Sequence, residues 1–250
     1  MNIVITGASG AIGQALALEY AGPKITLHLH GRNAEVLESL ALQCEQRGAI
    51  VQIETLDLFY LNAVADWAQR LCYEGVPDLL ILNAGINIHT SSEQPDESTD
   101  ASHELMLVNL LSAIRLIQGC LPAMRVRGSG QIALISSLAA WRGLPKTPSY
   151  SASKAGLKAY GEALRTDLAS AGIRVNVVMP GYVDSPMSMA MPGPKPWQWT
   201  PGRAARVIRL GLDRNKGRIS FPFFLSMGCH TLALLPDSVS GWLLRKFGYG

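Results

Sequence analysis

Short apolar blocks rich in Val, Ile and Leu recur along this chain, and stretches of helical periodicity separate them. The blocks are Asn2–Thr6, Ile25–His30, Ile50–Leu56, Leu79–Leu82, Gln131–Ser136, Arg174–Met179 and Arg218–Phe221. Between them lie Ala11–Tyr20, Asn33–Arg47, Leu61–Cys72 and longer segments at roughly Ala101–Arg125 and Ser149–Ala171. Apolar residues spaced by three and four mark helices with one buried face. Unbroken β-branched runs suit strands covered on both faces. Strand–helix–strand alternation with right-handed crossovers predicts an α/β fold, a doubly wound parallel sheet of about seven strands. At 250 residues, 48% hydrophobic and 16% charged, the chain can fill a core. One domain over residues 1–250 is expected, and a disordered chain is excluded.

Other classes fall away on the same reading. No apolar run reaches about 18 residues, so no spanning helix is expected. The opening Met-Asn-Ile-Val-Ile-Thr-Gly has no basic segment or cleavage site, which argues against a secretory leader and for a cytoplasmic location. Cys44, Cys72, Cys120 and Cys229 are far apart, so they read as reduced thiols without zinc. His28 and His30 lie along a strand with no acidic or cysteine partner, so they read as ordinary strand residues and no metal site is expected. Thr90–Asp100, rich in Ser, Glu and Asp, reads as a solvated loop. Arg203, Arg206 and Arg209 recur at helical spacing as a solvated face, with no aromatic-interleaved groove for nucleic acid.

Thr6-Gly7-Ala8-Ser9-Gly10-Ala11-Ile12-Gly13 follows the first strand and opens a helix. This is the setting of a phosphate-binding turn. Gly7 permits the bend, Gly10 lets backbone approach a pyrophosphate, and Gly13 lets helix and strand pack closely. The second strand ends in His30-Gly31-Arg32-Asn33, with no carboxylate before Glu35. An acidic residue there would accept from a ribose 2′-hydroxyl and repel a 2′-phosphate. Arg32 offers a planar cation instead. NADP(H) is therefore favoured over NAD(H).

Tyr150-Ser151-Ala152-Ser153-Lys154 places a phenol and an ammonium four residues apart, on one helical face. A phenol near pKa 10 is a poor acid–base group at neutral pH, and a neighbouring ammonium favours its phenolate. Ser137, upstream, follows the fifth strand. Ligands bind at the carboxyl ends of strands in such sheets, and a hydroxyl there can hold a carbonyl oxygen.

With Asn83-Ala84-Gly85 after the fourth strand, these motifs stand in the order of the short-chain dehydrogenase/reductase family, which the chain resembles over about residues 2–186. The resemblance implies a Rossmann fold. It implies a catalytic tetrad of Asn109, Ser137, Tyr150 and Lys154, with Asn109 fixing a water in the proton relay. It adds Asp57-Leu58 as the adenine-contacting pair and Asn83-Ala84-Gly85 as the backing of the cofactor. Pro180-Gly181-Tyr182-Val183-Asp184-Ser185 is the implied nicotinamide contact, with Ser185 where the family usually has threonine. The implied reaction is hydride transfer between nicotinamide and a carbonyl or secondary alcohol, in a homodimer or homotetramer. A catalytically silent nucleotide sensor or scaffold is the alternative, and a sugar-nucleotide epimerase or dehydratase a further one.

Residues 186–216 are expected to form a substrate lid and its following helix. Met187, Met191 and Trp197 supply adaptable apolar surface for a hydrophobic substrate. The segment from Pro186 onward also differs in charge. The chain carries 13 basic and 17 acidic side chains up to Ser185, but 9 basic and 2 acidic after it. The tail, residues 217–250, is basic and apolar, broken by Pro and Gly. It reads either as a helical cover or dimer contact, or as an element lying at a membrane surface.

Overall fold

The computed structural model describes residues 1–88, 96–191 and 193–248. Its strands are β1 (Asn2–Thr6), β2 (Thr26–His30), β3 (Ile50–Glu54), β4 (Leu79–Leu82), β5 (Gly130–Ile135), β6 (Ile173–Pro180) and β7 (Arg218–Phe221). All neighbours pair in parallel, in the order β3-β2-β1-β4-β5-β6-β7. The chain runs outward from β1 to β3, then returns to start β4 on the other side of β1. That reversal opens a crevice at the carboxyl ends of β1 and β4.

Helices cover both faces. Ile3 and Ile5 of β1 point into one core with α1 (Ala11–Tyr20), α2 (Ala34–Glu45) and α8 (Pro201–Asp213). Val4 points into the other core, against α3 (Leu61–Gly75), α5 (Ser112–Arg127) and α6 (Pro148–Asp167). The strand period of two thus fills both layers. β3 departs from the expectation of a fully covered strand. It is the sheet edge, and Ile50 and Ile53 are exposed there.

The long helix before β5 starts earlier than its periodicity predicts. α4 (Thr99–Met106) is capped by Ser98, whose Oγ accepts from Ala101 N at 3.2 Å. Thr99 and Asp100 therefore belong to a helix, while residues 90–95 of the expected loop, like Pro192 of the lid, lie outside the described residues. A π-helical segment, Leu107–Leu111, joins α4 to α5, and Gly128 ends the run at φ 69°. The continuous segment Thr99–Arg127 is long and apolar enough to cross a membrane by length and composition. Half of its most apolar stretch is buried in the fold, as expected of a core helix.

The tail extends the sheet by β7 and then forms α9 (Phe223–Leu234) and α10 (Asp237–Lys246). Leu225 and Cys229 of α9 pack on a small cluster of Leu138, Val177 and Met179. Arg142, in the loop after β5, ties α10 down. Its Nη2 lies 3.2 Å from Asp237 Oδ1, and its Nε donates to Ser240 Oγ at 3.3 Å.

The height of α6 above the sheet is set by a glycine. A Cβ on Gly161 would stand 2.6 Å from Leu134 Cδ1 and 2.7 Å from Val177 Cγ2. Gly161→Val should therefore lower stability by roughly 1–3 kcal/mol through overpacking, read as a fall in the urea midpoint at constant m-value.

Candidate active site

The turn after β1 is compressed against its surroundings. Gly7 has φ 65°, and a Cβ on it would lie 2.7 Å from Ala84 Cα. A Cβ on Gly13 would collide with Gly7 O. Neither position tolerates a side chain, so β1, α1 and the loop after β4 approach to backbone contact. Gly10 stands at the N-cap of α1 without any side-chain cap, so the free N–H groups of the first turn face the cleft. That cradle fits an anionic pyrophosphate, which takes the uncapped hydrogen bonds and the positive end of the helix dipole.

Thr6 and Asn83 join the two sides of the crevice. Thr6 Oγ1 accepts from Asn83 N and Ala84 N, both at 3.0 Å. Asn83 Nδ2 donates to Thr6 O and Gly7 O, both at 3.1 Å.

His30 corrects the reading of it as an ordinary strand histidine. Its Nδ1 accepts from Gly7 N at 3.4 Å, and its Nε2 lies 3.0 Å from Leu56 O. The neutral tautomer with hydrogen on Nε2 satisfies both contacts. Ala8 N also donates to His30 O at 2.7 Å, and the imidazole lies against Trp67 with ring centroids 5.1 Å apart. His30 thus braces the glycine turn from β2 and from the chain end of β3. Nothing in its spacing announces this role, because the contact spans three separate strands.

At the end of β2, Arg32 is exposed and borders the cleft, with no ion pair among the described residues. Asn33 has a local task as well: its Oδ1 accepts from Val36 N at 3.0 Å and caps α2. Asp57 Oδ1 similarly accepts from Phe59 N at 3.0 Å, beside buried Leu58.

The floor of the cleft is built by β5 and α6. Ser137 follows β5, and its Oγ accepts from Ala139 N at 3.1 Å. Tyr150 lies in the first turn of α6 and borders the cleft together with Ser137. Lys154 lies one turn further along the same face. Its ammonium is buried and donates to Ile135 O at 2.9 Å. Burial lowers its pKa to about 8. Burial pushes the Tyr150 phenol up, and the bond to Ser137 draws it back down. Lys154 Nζ stands 5.7 Å from the centre of the Tyr150 ring.

Asn109 and Gly13 do not line the cleft, unlike Ser137, Tyr150, Lys154, Gly7, Gly10, Arg32 and Asn83. Asn109 sits behind it in the π-helical segment. Its Oδ1 accepts from Ile86 N at 2.7 Å, and its Nδ2 donates to Ile86 O at 2.9 Å and to Ser153 Oγ at 3.2 Å. Both amide hydrogens are engaged, and the side chain clamps the loop after β4 to α6. The π segment turns this asparagine toward that loop, and Ser153 completes the clamp through Tyr150 O at 2.8 Å.

The strand β6 leads into Pro180-Gly181. A Cβ on Gly181 would meet Leu225 Cδ2 of the tail at 2.8 Å. Val183 pairs with Trp199 in an isolated bridge. Ser185 caps the short helix α7 (Pro186–Ala190), accepting from Ser188 N at 3.0 Å.

All these elements border one cavity of about 1160 Å³. Met187, Met191 and Trp197 line it, as their composition suggests. Side chains that the sequence reading left unassigned line it too: Arg142 and Leu144 after β5, Phe224, Leu225 and Met227 of α9, and Leu243, Leu244 and Phe247 at the chain end.

A sequence model described as short chain dehydrogenase matches residues 1–194. The chain belongs to this family. An uncharacterized oxidoreductase of Myxococcus xanthus is 31% identical over 245 residues, which cover 97% of this chain and 96% of that protein. A short-chain dehydrogenase from Streptomyces avermitilis superposes with a TM-score of 0.80 at 26% identity, covering 98% and 94% of the two chains. An alcohol dehydrogenase from the archaeon Thermococcus sibiricus, solved with 5-hydroxy-NADP, superposes with a TM-score of 0.75 at 27% identity, covering 88% and 94%. The protein is accordingly an NAD(P)-dependent oxidoreductase acting on CH–OH groups.

The brace at His30 makes a measurable claim on cofactor binding. His30→Phe keeps an aromatic ring against Trp67 but leaves Gly7 N and Leu56 O without partners. Cofactor affinity should fall about tenfold, the worth of one to two hydrogen bonds, by fluorescence titration. Burial holds the His30 pKa below its ordinary value of 6.5. Protonation removes the acceptor for Gly7 N–H, so wild-type affinity and stability should decline as pH falls below that value. The Phe variant should lack this component.

Proposed function

We propose that this enzyme is an NADP(H)-dependent carbonyl reductase whose substrate is a hydrophobic ketone or aldehyde. The observation that carries the reading is the meeting of Tyr150, Ser137 and Lys154 on one cleft floor, with the Lys154 ammonium buried there and held by Ile135 O at 2.9 Å. Bound in the cleft, the nicotinamide supplies the hydride in reduction and accepts it in oxidation. Ser137 Oγ holds the carbonyl oxygen, and Tyr150 Oη delivers the proton to it. The Ser137 bond favours the phenolate that remains, against the burial that opposes it. Lys154 holds ribose hydroxyls and supplies positive charge below the phenol. Asn109 serves by clamping the Ile86 peptide and Ser153, which keeps the loop after β4 registered on α6.

The glycine turn, Gly7 to Gly13, cradles the pyrophosphate. Asp57 and Leu58 border the adenine, and Asn83, Ala84 and Gly85 back the ring system. Pro180, Gly181, Val183 and Ser185 frame the nicotinamide. Support for the 2′-phosphate comes from Arg32, which is exposed at the end of β2 where no carboxylate stands. The relative from T. sibiricus was solved with an NADP derivative, in agreement. Support for a hydrophobic substrate comes from the lid and tail side chains that line the cavity, all apolar apart from Ser188 and Thr231. The reading includes a cytoplasmic protein that forms homodimers or homotetramers, with exposed Tyr73 of α3 and Val126 of α5 as apolar contacts on the outer helical face.

Tyr150→Phe should lower NADPH-dependent ketone reduction by at least about a hundredfold, the scale of general acid catalysis, with NADPH binding retained. Unchanged turnover would refute the assignment. Arg32→Ala should weaken NADPH binding about tenfold or more and leave NADH binding unchanged, since a charge-assisted phosphate contact is lost. Across a carbonyl panel graded by chain length, kcat/KM should rise with apolar length. A preference for small polar carbonyls would overturn the hydrophobic substrate.

A further inference from the structure

Large apolar side chains that line the cavity are also exposed to solvent, among them Trp197 at 57%, Phe224 at 64%, Met227 at 52% and Phe247 at 61%. They come from the lid, α9 and the chain end, so the side of the mouth that these elements form is rimmed mainly by apolar groups. The apolar surface continues outward to Phe223, whose ring meets that of Phe224 edge-on at 5.5 Å. The α10 ring of Trp242 is exposed as well.

The helix α9 contains no Asp, Glu, Lys or Arg, and none of its residues is fully buried. An outer face of this kind is poorly matched to water. Three basic groups stand beside it. Lys195 stands two residues from Trp197 and donates to Met191 O at 2.9 Å. Lys246 precedes Phe247 and lies 4.8 Å above the Trp242 ring, next to exposed Arg245. The nearby acids are engaged: Asp237 with Arg142, and Asp184 with Gln198 at 3.3 Å.

We infer that this mouth docks on an anionic lipid surface, from which a membrane-dissolved carbonyl substrate enters the cavity. The inference rests on the hydrophobic-substrate reading above and adds the partner that delivers it. Aromatic groups at the rim would enter the headgroup boundary, and the basic groups would face lipid phosphates. At 12 residues, α9 is about 18 Å long and too short to cross a bilayer core of about 30 Å. It therefore lies in the surface. A second copy of this chain seated here would close the entrance instead of feeding it.

The test is flotation of the full chain with phosphatidylcholine vesicles, with and without phosphatidylglycerol. Association with the anionic vesicles, weakened by salt, is expected. Phe223→Glu with Trp242→Glu should abolish it, and neither residue lines the cavity. Arg245→Ser with Lys246→Ser should weaken it about tenfold or more. Reduction of a water-soluble ketone by the Glu variant should match wild type, which shows that it folds. Absence of vesicle binding, or binding unaffected by both pairs of substitutions, overturns the proposal. A dimer in sedimentation equilibrium that the Glu pair dissolves also overturns it, and assigns the face to a second copy. Vesicle binding is read without turnover, so its loss is separable from failure of the catalytic assignment.

Discussion

The junction of Thr6 with Asn83 and Ala84 is the constraint on which the rest of the site depends. Here β1 and β4 end side by side and their chains diverge, so backbone groups at both ends lose their ladder partners. The Thr6 hydroxyl accepts two of the stranded N–H groups, and the Asn83 amide returns two bonds to the carbonyls of Thr6 and Gly7. Buried groups left unpaired at this point would cost about 1–3 kcal/mol each. The same closeness leaves no room for a Cβ on Gly7, which explains a glycine at positive φ facing Ala84. A cradle of free N–H groups follows, because the helix that starts here has no side chain to cap it.

A second tension runs through Lys154. An ammonium buried beneath the sheet's carboxyl edge is unfavourable, and the lowered pKa reports that cost. Its site is held by surrounding bonds: Ile135 O takes the ammonium, and Ser136 Oγ donates to Lys154 O at 2.7 Å. Burial thus acts on phenol and ammonium alike, toward their neutral forms. The Ser137 hydroxyl is the polar group that draws the phenol the other way. The last residue of β5 and the two that follow it supply these three groups, so the chemistry is set by how closely α6 lies on the end of that strand. Gly161, by omitting a side chain one helical stretch later, fixes that distance.

The tail gives the cleft its character. Arg142 leaves the loop beside Ser137 and reaches Asp237 and Ser240, so the chain end is fastened to the same loop that carries the hydroxyl. Leu225 occupies the space that Gly181 leaves open. The apolar side chains after Ser185 therefore supply much of the wall of the cavity and of its rim.

Much of this was legible in the chain itself. The central strands were visible as apolar blocks because parallel strands there are buried on both faces, and the glycine turn and Tyr150/Lys154 were visible because local geometry ties them to fixed spacings. β3 was legible as a strand but not as an exposed edge, since edge position is a matter of sheet order. Other assignments needed the assembled molecule. The bond from Gly7 to His30 crosses from β1 to β2, and the clamp of Asn109 on Ile86 and Ser153 joins residues far apart in sequence. Neither leaves a periodic signal. The sequence by itself determined which segments become strands and helices and which residue types meet the crevice, since burial and backbone conformation are local demands. Tertiary structure alone decided that a histidine supports the turn, that Asn109 clamps the loop after β4 to α6, and that the tail lines the cavity. Those outcomes depend on distances between elements, which the order of residues does not encode locally.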